Sequence, residues 1–493
     1  MRSKLCVVAA EVLVLLLVAG GVLAQSPAGE AVGVPAEGSG QSEAGVYPFD
    51  PAEVVARSSA SISLAGQRID VAVTDDNEVY PAVALCASNQ YLVVYQYYDD
   101  STAGPDAIYG QRLTSGGALL GGPFRINTGD AEGAFWPDVA CEWSQNRFVV
   151  VWEYDWAGDL SDLDVRAQVV HGAHQTSGSS QLVGSWLWVS QLAPDAENTP
   201  AIACNSDDAT CLVVYRYWKQ GQSHDIHGQR LRITAGEPYR DGDPFVVSDH
   251  TDSELAPDVA WGPLDENYLV AWEMYRSTAP AYDRIVFTHV HDTVQAPGDE
   301  LQHATTGLIN LVDWPHPQTN PAVAYNPFCG DDGRYLVTFD YELSASDVDI
   351  GARRIWGTSN FAEGPPFLVA STGSADFYSH VAASGRFDQF LVTYVTQVHD
   401  ASTWYYALHG RVIKGTHDDG GGGQLQGPAF EIYQTPHAEG WSMGPNDVAG
   451  SLNNASYLAV WNDRTTGAGF DVDVYGQLLV PPVVYLPCVV RNY

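Results

Sequence analysis

A four-part pattern that recurs along the chain constrains its fold more than any other feature. The first complete copy runs from Pro81 to Ile126 and contains four short apolar runs separated by polar, turn-rich segments. Each copy opens with a Pro-x-Val-Ala anchor or a degenerate form of it, at intervals of 56 to 67 residues. The seven anchors begin at Pro81, Pro137, Pro200, Pro257, Pro321, Ser379 and Asn446. Internal repeats of this length are the signature of a repeat architecture.

The three later runs of each copy are also recognisable. The third run is Ile108-Tyr-Gly-Gln-Arg in the first copy, and the fourth begins with a phenylalanine, Phe124, in that copy. Each run holds four to six β-branched and aromatic residues bounded by Gly, Pro, Asp or Asn, which predicts a strand. The second run ends in an aromatic residue every time: Tyr95, Trp152, Tyr215, Trp272, Phe339, Tyr394 and Trp461.

Four such strands form an antiparallel sheet with two apolar faces, and radial repetition covers both faces while leaving only short edges. We therefore predict an all-β fold, a seven-bladed β-propeller of four-stranded antiparallel blades. The seventh copy has only three strands, the last reaching Leu479. Ile69 lies 12 residues before Pro81, the same offset as Phe245 before Pro257. We expect this N-terminal strand to complete the last blade and close the ring.

The two ends of the chain have a different composition. Arg2 and Lys4 precede an apolar run, and Val22-Leu23-Ala24 fits a signal-peptidase site, so residues 1–24 are predicted to be a signal peptide. An uncleaved membrane anchor is the alternative. Residues 25–60 are predicted to be a disordered low-complexity linker, 61–480 the propeller and 481–493 a C-terminal tail. No later apolar run could span a bilayer. The expected location is secreted or at the cell surface.

Charge and cysteine content agree with export. The formal net charge of −37 disfavours a nucleic-acid partner, because an acidic surface repels phosphate. Six cysteines follow the signal, an even number that suits an oxidising compartment. Cys204 and Cys211 bracket a predicted hairpin turn and are the candidate disulfide. The sequence leaves Cys86, Cys141, Cys329 and Cys488 unassigned.

The segments Tyr91–Tyr95, Asp106–Leu113 and Gly121–Ile126 together read YLVVY…DAIYGQRL…GGPFRI. This pattern resembles the blades of secreted bacterial seven-bladed β-propeller repeat proteins that carry YLVVW…DIYGQR. The resemblance covers residues 65–480. The segment from Val484 to Tyr493 also resembles short C-terminal tails of some bacterial exported proteins. These resemblances imply a fold and a compartment, but no reaction.

In a propeller with this connectivity the first strands line the central channel. The connections into them share a face with those between strands two and three, and such loops carry most binding sites. Aromatic rings interleaved with carboxylates suit sugars, although packing between blades and Asx turns are the favoured interpretation for any one of these residues. The candidate ligand-face residues are Tyr80, Tyr97, Asp99, Trp136, Asp138, Trp156, Asp159, Asp258, Tyr378, His380, Trp441 and Asp447.

Calcium is a candidate cofactor at one acidic loop. Asp155, Asp159, Asp162 and Asp164 supply four carboxylates within ten residues, and Ca²⁺ prefers oxygen ligands. The spacing does not match an EF-hand loop, so a solvated acidic loop is the favoured interpretation.

The sequence contains no catalytic signature: no Gly-x-Ser-x-Gly elbow, His-Glu-x-x-His, P-loop or dinucleotide fingerprint. We therefore expect a binding module that recognises a carbohydrate or protein partner through one face of the ring. One alternative is an extracellular hydrolase or lyase acting on glycans, with acid/base carboxylates in the central depression. Another is a structural surface or adhesion protein.

Overall fold

The structure, a computed structural model, describes residues 62–480 apart from 99–105, 130–132, 157, 159–161, 177–179, 192–194, 219–222, 265, 277–281, 293–301, 304–308, 345, 358–361, 384–386, 401–402, 418–423, 436–442, 452–455 and 465–470. It confirms the predicted fold: seven four-stranded antiparallel blades form a seven-bladed β-propeller. Over these described ranges there is no helix, and hence none long and apolar enough to cross a membrane.

The strands are grouped here by their position in the blade, from the channel outwards. First strands are β2 (Asn77–Leu85), β6 (Ala134–Glu142), β10 (Ala196–Asn205), β15 (Ser253–Gly262), β20 (Gln318–Asn326), β24 (Asp376–Ala383) and β28 (Met443–Gly450). Second strands are β3 (Gln90–Tyr98), β7 (Arg147–Asp155), β11 (Thr210–Trp218), β16 (Asn267–Tyr275), β21 (Arg334–Ser344), β25 (Gln389–Asp400) and β29 (Tyr457–Arg464).

Third strands are β4 (Ala107–Thr114), β8 (Leu163–His171), β12 (His224–Arg232), β17 (Asp283–His291), β22 (Asp347–Trp356), β26 (Thr403–Lys414) and β30 (Val472–Val480). Fourth strands are β5 (Leu119–Arg125), β9 (Leu182–Ser190), β13 (Tyr239–Arg240) with β14 (Phe245–Ser248), β18 (Gln302–His303) with β19 (Ile309–Asn310), β23 (Ala362–Ala370), β27 (Phe430–Gln434) and β1 (Ser63–Ala72). The fourth strand is thus split in two in blades 3 and 4.

The N-terminal strand closes the ring as predicted. β1 pairs antiparallel with β30, with Ile69 opposite Gly476 and Leu64 opposite Leu479. The first strand of blade 1 in turn packs against that of blade 7. The last blade therefore combines the two ends of the propeller, and every sheet has a neighbour on each face.

The Gly-Gln pair of the third strand explains much of the repeat pattern. A Cβ on Gly110 would lie 3.0–3.2 Å from Ile126, Leu92 and Phe124, so the phenylalanine of the fourth strand packs directly over the glycine. The Gln111 amide donates to the carbonyl of Gly121, where the fourth strand bulges. The equivalent glutamines Gln168, Gln229 and Gln477 make the same bond to their own fourth strands.

Blades are joined to their neighbours by apolar packing and by specific ties. One apolar cluster fills the space between blades 1 and 2, and includes Leu92 and Trp152. A disulfide joins Cys86 to Cys141 across this same interface. Cys204 and Cys211, the predicted pair, form a disulfide across the β10–β11 hairpin.

Candidate functional site

The candidate site is formed by the residues that immediately precede the seven anchors. We call the position of such a residue in its blade the mouth position. In blades 1 to 6 the first strand bulges here, and the mouth residue adopts a left-handed backbone although it is never glycine. Such conformations are uncommon for non-glycine residues and cluster at functional sites. The six residues, with φ between 45° and 54°, are Tyr80, Trp136, Thr199, Ala256, Asn320 and Tyr378. Blade 7 places Pro445 there, whose ring fixes a negative φ.

Apart from Pro445 of blade 7, which lies between blades 6 and 1, the mouth positions divide the ring into two halves by side-chain type. Tyr378, Tyr80 and Trp136, from blades 6, 1 and 2, form what we call the aromatic arc. The rings of Tyr80 and Trp136 stack with centroids 3.9 Å apart and an interplanar angle of 27°. Trp136 is 46% exposed and Tyr378 37% exposed. Burial raises the pKa of both tyrosines, with a further contribution to Tyr378 from Asp340 and Tyr80, so both phenols are neutral at pH 7.

Thr199, Ala256 and Asn320, from blades 3 to 5, form the opposite small arc. They share the backbone conformation of the aromatic arc but carry no aromatic ring: Thr199 and Ala256 are partly buried, and Asn320 is exposed. The fold therefore tolerates a small residue at the mouth position, and the three aromatics are not required by the backbone geometry.

The second strand of the preceding blade holds the mouth residue in place. Glu153 Oε1 accepts a hydrogen bond from the backbone N–H of Thr199 at 2.6 Å, and Asp340 Oδ2 accepts one from Tyr378 at 3.2 Å. Gln96 Oε1 lies 3.5 Å from the N–H of Trp136 in the same arrangement. Glu273 accepts a hydrogen bond from the backbone of Asn320. Four of the six bulges are thus satisfied across a blade interface.

Burial of these acceptors changes their titration. Burial is the largest influence on Glu153, Glu273 and Asp340, and raises the pKa of each to about 7. Arg216 lies near the first two: burial lowers its pKa while both glutamates oppose that shift, and its Nε donates to Asn198 Oδ1 at 2.5 Å. Sequence reasoning did not single out these acceptors, although Gln96, Glu153, Glu273 and Asp340 all directly follow the aromatic that ends the second run.

Deeper in the channel, three predicted aspartates join neighbouring blades by hydrogen bonds. Asp447 Oδ2 accepts the backbone N–H of Val83 at 2.7 Å, and its Oδ1 accepts that of Val448. Asp138 binds Ile202 in the same way. Asp258 makes the equivalent bond to Val323. These aspartates belong to blades 2, 4 and 7, and each accepts a backbone hydrogen bond from the blade that follows.

The three carboxylates lie close enough to one another to interact electrostatically. Burial raises the pKa of Asp138 to about 7, with further contributions from the charges of Asp258 and Asp447, which belong to non-adjacent blades. Their fourth neighbour is His380, whose Nδ1 lies 3.4 Å from Asp447 Oδ1. Burial lowers the His380 pKa, but Asp447 and the other two carboxylates outweigh this effect and raise it. In the described part of the channel, three carboxylates therefore surround the imidazole of His380.

Other predicted residues lie apart from the mouth. Tyr97 is held within blade 1, since its hydroxyl bonds Asp76 Oδ2 at 2.5 Å. Trp156 is exposed at the outer part of blade 2. Asp99, Asp159 and Trp441 lie outside the described residues.

The acidic loop of blade 2 has local structural roles. Asp155 Oδ1 accepts the N–H of Gly158, three residues on, at 2.9 Å, which is a local turn contact. Asp164 is buried, and burial together with the Asp162 charge raises its pKa to about 6. In the part of the chain that the structure describes, no group of three or more His, Cys, Asp or Glu side chains could hold a metal ion.

The sequence matches no protein-family profile and no curated protein. Solved structures with a similar fold include a protein of unknown function from Dyadobacter fermentans, at 8% identity and a TM-score of 0.49, covering 85% of this chain and 99% of that one. The polysaccharide lyase Uly1 gives 10% identity and a TM-score of 0.47 over 81% and 90%. The GH93 α-L-arabinofuranosidase of Fusarium graminearum, solved with arabinobiose, gives 13% and 0.44 over 66% and 91%. At identities this low, the activities of those proteins do not transfer to this chain.

Proposed function

We propose that the protein is an exported carbohydrate-binding propeller whose ligand docks at the channel mouth against the aromatic arc. The single observation that carries this proposal is the stacked pair of Tyr80 and Trp136, held by left-handed backbone and with Trp136 nearly half exposed. Exposed aromatic rings fixed by the scaffold present a flat apolar surface at little entropic cost, which suits the apolar face of a sugar ring.

The polar groups around the arc support the same ligand class. Asn320 is exposed at the mouth, where its Nδ2 donates to Asp340 Oδ2 at 2.9 Å. An exposed amide near an aromatic platform is a partner for sugar hydroxyls, and it fixes the orientation of a ligand that stacking alone would leave free to turn. The position of the site, at the open end of a ring of blades, matches the concave sites that small ligands prefer.

Binding is favoured over glycan hydrolysis because the nearby carboxylates already have partners. Hydrolysis needs two carboxyl groups flanking the scissile bond, one of them a general acid and the other a base or nucleophile. Glu153 and Asp340 accept backbone N–H groups and are almost fully buried. The channel aspartates are likewise bonded to the backbone by both oxygens. These carboxylates hold the scaffold that displays the arc.

Export is supported by the two disulfides, because disulfides form and persist in oxidising compartments. The predicted signal peptide and linker lie outside the described residues.

A glycan array probed with the full chain, with and without calcium, tests the proposal. We expect binding to a subset of glycans by the wild type and loss of that binding in Trp136→Ala. The matched control is Tyr239→Ala, which removes an equally exposed aromatic from the outer strand of blade 3. Binding to no glycan by the wild type would overturn the proposal and favour a protein ligand or an adhesive role. Release of shortened glycan would favour the enzyme instead.

A further inference from the structure

A second aromatic cluster lies on the outer part of blade 2. The Arg166 guanidinium carbon sits over three rings, 3.4 Å from the centroid of Tyr154, 3.8 Å from Trp186 and 4.0 Å from Trp188. Arg166 itself is only 3% exposed. Cation–π contacts of this kind are strongest when the cation is removed from water. Arg166 is therefore buried at the centre of this cluster of aromatic rings.

Trp156 packs against this aromatic cluster and faces solvent. It is 53% exposed although its ring contacts Trp188 and Tyr154 edge-to-face, at centroid distances of 5.9 Å and 6.4 Å. Its backbone N–H donates to the carbonyl of Asp162 at 3.1 Å, which fixes the chain on either side of the connection. An indole that is supported from one side and open on the other is a ready stacking surface.

Trp156 shares a blade and a face with the aromatic arc. It directly follows β7, whose end pairs with the start of β6, where Phe135 lies opposite Glu153. Trp136 is the next residue of β6, and Trp188 belongs to β9, the outermost strand of the blade. With strands about 4.8 Å apart, the distance from the arc to this cluster is roughly 10–15 Å along one radius of the ring.

We propose that Trp156 forms a second carbohydrate subsite, so that a neutral polysaccharide chain runs from the channel mouth outwards over blade 2. This inference rests on the proposed function of the mouth. It adds that the ligand is a chain longer than a disaccharide, bound by two aromatic platforms on one blade.

The charges around Trp156 determine the sugar class. Asp162, which is partly exposed, lies beside it, while Asp155 and Asp164 are buried, and the chain as a whole carries a net charge of −37. The cation of the cluster, Arg166, is covered by its three rings and so is not presented to an incoming carboxylate. Uronic or sialic acid residues would therefore be repelled by Asp162 and by the net negative charge of the chain, whereas neutral sugars stack without a charge penalty.

Calorimetric titration of the full chain with neutral arabino-, xylo-, cello- and galacto-oligosaccharides, from disaccharide to octasaccharide, tests the inference. Oligogalacturonides serve as the anionic counterpart. We expect wild-type affinity to rise with chain length, and Trp156→Ala to weaken octasaccharide binding about tenfold while leaving disaccharide binding unchanged. Trp156→Phe should restore part of the loss. Tyr239→Ala is the control for removal of an exposed aromatic.

The outcomes separate the two proposals. If no neutral oligosaccharide binds the wild type, the proposed function fails and this inference with it. If Trp136→Ala abolishes binding while Trp156→Ala matches the wild type at every length, the mouth site stands and the second subsite is overturned. Binding of oligogalacturonides as tight as that of neutral chains would overturn the assignment of a neutral ligand.

Discussion

The two halves of the channel mouth have the same backbone and different side chains. Trp136 and Thr199 occupy equivalent positions in adjacent blades, both left-handed, with φ of 49° and 48°. One presents an exposed indole and the other a buried hydroxyl with no hydrogen-bond partner among the described residues. Because the same bulge forms with either residue, the propeller fold determines the backbone geometry, and the mouth side chain does not. The side chains distinguish the half that we propose for binding.

The interfaces beneath the two halves are also secured differently. Under the aromatic arc, a disulfide between Cys86 and Cys141 ties the inner strands of blades 1 and 2 at the face opposite the Tyr80–Trp136 stack. Between blades 3 and 4, Arg230 reaches Asp292 in a buried ion pair of 3.0 Å. The equivalent Arg112 donates to the carbonyls of His171 and Gly172 between blades 1 and 2, so both interfaces have a polar tie and the aromatic half has the disulfide in addition.

The largest expected effect comes from breaking that covalent tie. A Cys86→Ala/Cys141→Ala variant should lose about 4 kcal/mol of unfolding free energy, since the disulfide closes a loop with a sequence separation of 55 residues. The Cys204→Ala/Cys211→Ala variant is the matched control, and its separation of 7 residues predicts a loss of about 2 kcal/mol. Chemical denaturation measures both. Equal losses would contradict the role assigned to the blade 1–2 tie.

The second-largest effect is on the pH dependence of stability and concerns Glu153, whose carboxylate accepts the backbone N–H of Thr199 in the small arc. The folded pKa of Glu153 is raised from 4.5 to about 7, so below about pH 4.5 the carboxyl is protonated in both states and carries no penalty. As the pH rises towards 7, the unfolded chain ionises first and stability is lost. Glu153→Gln keeps an oxygen for the Thr199 N–H and removes this loss.

Unfolding free energies from pH 4 to pH 8 test this linkage. The Glu153→Gln variant should match the wild type near pH 4 and exceed it at pH 8, by up to about 3 kcal/mol. Asp340→Asn, at the blade 5–6 interface, should shift the profile in the same direction, because burial raises the pKa of Asp340 to about 7 as well. Parallel profiles for the variants and the wild type would contradict the assignment.

The sequence predicted the ring but not the chemistry of its mouth, for physical reasons. The repeat is local in the chain, and motifs such as Gly110-Gln111 serve contacts within one blade. The mouth geometry depends on contacts between blades. A residue before proline ordinarily adopts an extended conformation, so the left-handed Trp136 could not be expected. The Cys86–Cys141 pairing likewise becomes evident only once blades 1 and 2 are neighbours.

Truncation of the aromatic arc should separate binding from stability. Trp136→Ala should weaken glycan affinity by about 2 kcal/mol, roughly a 30-fold increase in Kd, as expected for an exposed aromatic anchor. Thr199→Ala, the equivalent change in the small arc, should leave Kd unchanged. Isothermal titration with a glycan identified on the array measures both. A similar loss of affinity in the two variants would show that the halves do not differ in function.

The smallest effect concerns the strain that the two halves share. Thr199→Gly should raise the unfolding free energy by up to about 1 kcal/mol, since a β-branched residue is disfavoured at φ 48° and glycine is not. The change also removes the Thr199 hydroxyl, which is buried without a partner in the described structure. The greater freedom of glycine in the unfolded chain offsets part of the gain. Trp136→Gly relieves the same strain but loses the stack on Tyr80, and so should gain no stability. Thermal melts of the two variants compare the halves directly, and a melting temperature lowered in Thr199→Gly would show that the left-handed threonine is not strained.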